Sequence, residues 1–219
     1  MAQRLIVEGN DAIAIAVLCS KCGLKPPKGY ANPLKFKEEF VKTGEGISGA
    51  IRQLRLSLSE PALTHIGLIV DADDDGAAFR WQQVRGNLTR FYDLDTLVAA
   101  DAQTGAKVIV QNGMPTLGVW IMPDNSSRGY LEHFLSAFIP TGNEIWSHAQ
   151  SALDDLMEQP YNVLTGSKRQ KALLHTWLAW QRNPGKPFGQ AIEAGYFDTA
   201  SGNVQPFLDW FAQTFELEP

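Results

Sequence analysis

Cysteine is scarce. The 219 residues contain two, Cys19 and Cys22, spaced as C-x-x-C. No second pair and no neighbouring histidine completes a zinc site, and the Trp-Cys-Gly context of a redox motif is missing. The pair reads as two thiols near a helix end. Long apolar runs are missing too, so no membrane span is expected. The opening MAQRLIVE reaches an acid too soon for a secretory signal, which points to a cytoplasmic protein. Charged residues make up 20%, which excludes the highly charged disordered classes, and an apolar fraction of 44% is enough for a substantial core.

Acid is missing from two stretches. Residues 12–37 carry Lys21, Lys25, Lys28, Lys35 and Lys37 and no carboxylate. Residues 161–192 carry Lys168, Arg169, Lys171, Arg182 and Lys186, again with none. The net charge of −5 argues against a general nucleic-acid binder. Basic surface flanking an acidic centre nevertheless suits an enzyme acting on polyanions. Solvated charged faces give the same pattern.

Hydrophobic periodicity predicts strands at 4–8, 65–70, 107–111 and 117–122, with NGMP as the turn between the last two. Helices are predicted at 11–24, around Ile47–Leu58, and from Asp75 to Phe91. Leu34, Phe36 and Phe40 partly alternate with charge and suggest a half-exposed strand. KPPKGYANP reads as a loop. Further helices are expected at 129–138, 143–158, 168–181, 187–194 and 204–215. The expectation is an α/β sheet flanked by helices over residues 1–140. A helical part, 141–219, packs on it without a flexible linker. The aromatic stripe Trp177, Trp180, Phe207, Trp210, Phe211 and Phe215 has helical spacing and reads as core.

The acids at strand ends carry the chemistry. LIVDADDDGA begins like an EF-hand calcium loop, but the twelfth position from Asp71 is Gln82, and a strand rather than a helix precedes it. Placed at the carboxyl end of a strand, Asp71 and Asp73 point the same way. Glu8 and Asp124 end two other predicted strands. If the three strands are parallel and adjacent, these four carboxylates converge. Their mutual repulsion would call for a divalent cation, with oxygen donors favouring magnesium, manganese or calcium over zinc. The plainer alternative is that acids such as Asp74 or Asp75 cap helices.

V-E-G at 7–9, followed by an apolar strand ending in D-x-D, resembles the Toprim pattern. Topoisomerases, bacterial primases, recombination proteins and nucleases of the OLD type share it. GVWIMPDNSSRGYLEHFL and HTWLAWQRNPGKPFGQAI look closer still to small stand-alone Toprim-like bacterial proteins of unassigned function. The resemblance covers most of the chain. It implies a Rossmann-like Toprim sheet and magnesium- or manganese-dependent phosphodiester chemistry on nucleic acid. Glu8 matches the family's general acid/base or metal ligand, and Asp71 and Asp73 match its metal-binding pair. Asp124 and Glu132 match acids of the stand-alone group's own motif, as further candidate ligands. By order along the chain, Lys168 or Lys171 stands where OLD-type nucleases carry an assisting lysine.

Relatives often place an acid four residues after the first glutamate. Here that residue is Ala12, which leaves a second metal in question. The leading expectation is a metal-dependent nuclease or related phosphodiester-transfer enzyme. An ATPase partner of the kind fused to larger relatives is compatible with it. The alternative is a catalytically inactive binding or regulatory module. A phospho-receiver or aspartyl-phosphate phosphatase fits less well, because Asp75 stands where the phosphatase pattern wants Thr or Val.

Overall fold

A computed structural model describes residues 2–9, 12–24 and 33–217. The elements run β1 (Ala2–Val7), α1 (Ala12–Lys21), α2 (Pro33–Lys35), β2 (Val41–Thr43), α3 (Gly46–Leu58), β3 (Leu63–Asp71), α4 (Ala77–Leu88) and α5 (Leu94–Ala102). There follow β4 (Lys107–Ile109), β5 (Thr116–Met122), α6 (Leu131–Ser136), α7 (Glu144–Met157), α8 (Arg169–Ala179), α9 (Phe188–Glu193) and α10 (Gln205–Phe215). The strands form one five-stranded sheet in the order β2-β1-β3-β5-β4. All neighbours pair in parallel except β4, which runs antiparallel to β5. This is an α/β fold, with a mostly parallel sheet flanked by helices and the C-terminal helices packed on it.

Parallel strands covered on both faces read as near-continuous apolar runs, and β3 and β5 do so. Their side chains still alternate between two cores. Leu5, Val7, Ile69, Trp120 and Met122 face one core, shared with α1 and the C-terminal helices. Ile6, Leu68, Val70, Val119 and Ile121 face the other, shared with α3, α4 and α5. In the first core Trp177, Phe207, Trp210, Phe211 and Phe215 are all buried, whereas Trp180 of the same predicted stripe is 42% exposed. Burying each such ring stabilises the fold by about 1.5–3 kcal/mol.

The closest packing is that of α10 on the sheet. Gly67 of β3 and Gly118 of β5 lie opposite each other in register. A Cβ at Gly67 would meet Phe215 Cζ at 2.7 Å, and one at Gly118 would meet Thr214 Oγ1 at 1.9 Å. Two adjacent strands thus lack side chains where the helix comes down.

Two predicted elements differ. Residues 34–40 form no strand. Pro33–Lys35 is a short helix running into a π-helical turn, Phe36–Phe40, and the strand is confined to Val41–Thr43. Phe36 and Phe40 stand four apart, both are buried, and their ring centroids lie 4.9 Å apart, a closeness that one helical turn gives and an extended strand does not. The predicted helix from Asp75 to Phe91 ends at Leu88, and α5 follows it. The KPPKGYANP loop lies outside the described residues over 25–32.

Gly118→Val is expected to lower stability by about 1–3 kcal/mol through overpacking. Thr214→Ala in the same chain should restore part of the loss in urea unfolding, giving a non-additive double-mutant cycle. Strict additivity would show that the helix does not sit on that glycine.

Candidate functional site

Strands β1, β3 and β5 are parallel and adjacent, as the convergence of their acids requires. At the end of β1 the Glu8 amide donates to Ile69 O at 3.1 Å. The Glu8 side chain turns back to the sheet, and its Oε2 accepts from the Asp71 amide at 3.0 Å. Burial pushes the Glu8 carboxyl above its ordinary value. The nearby Asp73 charge adds to this, while hydrogen bonds from the Asp71 and Ile47 amides and the Arg80 charge oppose it.

Past Asp71 the chain leaves the sheet in a constrained turn. Asp73 has φ of +51°, in the left-handed region that short polar side chains tolerate. It forms an antiparallel bridge with Gly129, through Asp73 N to Gly129 O at 2.9 Å and Gly129 N to Asp73 O at 3.0 Å. This ties the β3–α4 turn to the segment after β5. Gly76, with φ of +91°, is the N-cap of α4, and no side chain caps that helix. Neither Asp74 nor Asp75 therefore serves as its cap.

The sequence reading missed Arg80, on the first turn of α4. Its side chain is only 4% exposed. Nε donates to Asp71 O at 2.6 Å, Nη2 to Asp73 Oδ2 at 2.7 Å and Nη1 to Gln83 Oε1 at 2.7 Å. A buried guanidinium needs this complete set of acceptors. One acceptor is the second acid of the D-x-D pair and another is the backbone of the first. An arginine in the first turn of the helix after D-x-D was the available signal.

Asp71, Asp73 and Asp74 line a cavity of about 200 Å³ with Tyr130, Glu132, Lys168 and Lys171. Glu132 is buried on α6, and its Oε1 lies 3.4 Å from Lys171 Nζ on α8. Burial raises the Tyr130 phenol, and the charges of Glu132, Asp74 and Asp71 raise it further. Five of the seven predicted site residues thus line one cavity, and Glu8 touches it through the Asp71 amide. Asp124 does not come there. Its Oδ1 accepts from the amides of Ser126 at 2.9 Å and Ser127 at 2.7 Å and from the Ser126 hydroxyl, and the Ser127 hydroxyl donates to its Oδ2. Partial burial alone would raise its carboxyl, but the bonds from Ser127 and Ser126 hold it below the usual range. It lines a different cleft.

The donor chemistry of the cavity fits a hard divalent cation, since carboxylate oxygens are what such ions take. Among the described residues, however, no three His, Cys, Asp or Glu side chains stand close enough to hold one. Glu8 is engaged with backbone amides and Asp73 with Arg80. Lys168 and Lys171 supply positive charge on the opposite wall, suited to phosphate.

An acid whose folded pKa lies above the unfolded one stabilises the fold fully below the ordinary value of 4.5, and that contribution is lost as pH rises through the folded value. In chelator-containing buffer, Glu8→Gln should gain thermal stability relative to the parent between pH 4.5 and neutrality. Parallel stability-against-pH curves would contradict this burial of the carboxyl.

No curated protein and no solved structure matches the chain. Residues 2–216 match the family described as "Protein of unknown function (DUF3226)". The match spans β1 through α10, and with it both walls of the cavity. The chain is a member of the DUF3226 family.

Proposed function

We propose that this chain is a Toprim-type, divalent-metal-dependent phosphodiester enzyme, a nuclease or transferase acting on nucleic acid. The observation that carries the reading is the two-walled cavity. One wall is the D-x-D at the end of β3, and the other is Lys168 and Lys171 from the C-terminal helices. Asp71 and Asp73 would hold magnesium or manganese, beside the buried Glu132. When bound, the cation supplies charge neutralisation at the phosphate and a water of lowered pKa. Lys168 and Lys171 draw the scissile phosphate in and balance its developing charge. Glu8, with its carboxyl raised by burial, is suited to hold and release a proton nearer neutral pH than an ordinary carboxylate.

The Arg80–Asp73 contact does not forbid this. Breaking a buried charge contact costs about 3–5 kcal/mol. Cation binding at micromolar strength amounts to about 8 kcal/mol. The guanidinium therefore weakens cation binding without preventing it.

Calorimetric titration of manganese into the parent chain should show micromolar binding, and Asp71→Ala/Asp73→Ala should abolish it. Asp73→Asn should lower any nucleic-acid cleavage by at least about a hundredfold, the scale of losing one electrostatic partner of the transition state. Manganese binding unchanged in the double variant would sink the proposal.

A second reading, a binding module without turnover, is favoured by Arg80 itself and by Ala12. A resident guanidinium already pairs with the Asp73 carboxylate and holds the Asp71 carbonyl, and no acid stands four residues after Glu8. On this reading Arg80→Met should raise manganese affinity about tenfold or more, roughly 1.4 kcal/mol, with no cleavage in either form. Cleavage by the parent chain would exclude it.

A further inference from the structure

The acidic cavity does not stand alone. A second cavity of about 220 Å³ shares Asp74 and Tyr130 with it, and Arg128 and Arg169 line this one. A third, of about 650 Å³, shares His133 with the second. Three adjoining hollows therefore follow the segment between β5 and α6.

Their chemistry changes along the way. The first carries Lys168 and the second Arg128, both exposed. Among the described residues neither forms an ion pair, whereas Arg169 pairs with Asp154 and Lys171 with Glu132. Each of the two small hollows thus offers one cation outside any ion pair, the first beside Asp71, Asp73, Asp74 and Glu132 and the second beside Asp74. The third differs. Asp124 and Asp209 line it and repel phosphate, while Val108, Pro123 and Pro206 give it apolar walls. Asn203 and Gln213, both exposed, add hydrogen-bonding amides at its edge. Cation, cation, then a largely apolar cleft edged by amides and two phosphate-repelling carboxylates is the complement of two successive phosphates followed by a base.

Resting on the reading above, we infer that the ligand of this site is a single nucleic-acid strand. It lies along the segment between β5 and α6, with one phosphate at Lys168, the next at Arg128, and an unstacked base in the large cleft. Bases are free to enter such a cleft in a single strand, whereas in a duplex they are stacked and paired. The small hollows would touch only a duplex's backbone.

The test is fluorescence anisotropy in calcium buffer. The probes are a labelled oligothymidine strand, its duplex with oligoadenosine, and thymidine monophosphate as competitor. The strand should bind at least about tenfold tighter than the duplex, and the monophosphate should compete poorly. Arg128→Glu and Lys168→Glu, both at exposed positions, should each weaken the strand about tenfold. Each should also lower the slope of log affinity against log salt by about 0.7. Gln213→Trp, which fills the cleft, should weaken the strand while leaving its salt slope unchanged. Duplex binding as tight as the strand, monophosphate binding as tight as the strand, or an Arg128→Glu variant that binds normally would overturn the inference. Manganese binding at Asp71 and Asp73 would survive any of those results. A chain that binds manganese but no nucleic acid of any kind would overturn both this path and the nucleic-acid reading it rests on.

Discussion

Everything at the site depends on the parallel register of β1, β3 and β5. Leu5 lies opposite Gly67, and Gly67 opposite Gly118. That alignment sets side by side the two glycines that receive α10. The same alignment brings the three strands out of the sheet at neighbouring points, where Glu8, Asp71 and the Pro123–Gly129 segment emerge. In an open α/β sheet the carboxyl ends of the strands are where ligands gather. A slip of one residue in β3 would reverse which side chains face each core, and it would take Asp71 away from Glu8. The apolar cores on both faces therefore fix the position of the acids.

Charge is managed locally once the strands have ended. Four of the acids have separate partners. Glu8 takes the Asp71 amide, Asp73 takes Arg80, Glu132 takes Lys171, and Asp124 takes two serines. The repulsion expected from converging carboxylates is thus dispersed among internal donors. Arg80 differs from the others because its guanidinium is buried and spans both residues of the D-x-D pair. Breaking a buried charge contact by removing one partner is costly, so Arg80 holds the turn in place and offsets the charge of Asp73.

Strands β1, β3 and β5 and the acids after them were legible because a buried parallel strand leaves an unmistakable apolar run, and an acid ending such a run stands out; the short β2 was not. The C-terminal aromatics were legible for a similar reason, apart from Trp180. Other features depend on contacts distant in sequence or on weak patterns. Helix α5 presents Leu94 and Val98 to solvent, so no apolar stripe marks it. The Phe36–Phe40 turn was mistaken for a strand because two aromatics among lysines and glutamates fit either period. Arg80 looks like an ordinary surface residue until the turn before α4 folds back over it. Asp124 carried a local signal that was passed over, since D-N-S-S places two hydroxyls and two amides within reach of its carboxylate.

On the proposed function, Asp71 and Asp73 form the cation-holding wall of a phosphate-binding cavity. The most direct test is a crystal of the chain soaked in manganese, with anomalous scattering used to locate the ion. The expected result is a peak beside the Asp71 and Asp73 carboxylates, with the Arg80 guanidinium moved off Asp73. A fully soaked crystal with no peak there, and Arg80 still bonded to Asp73, would contradict it.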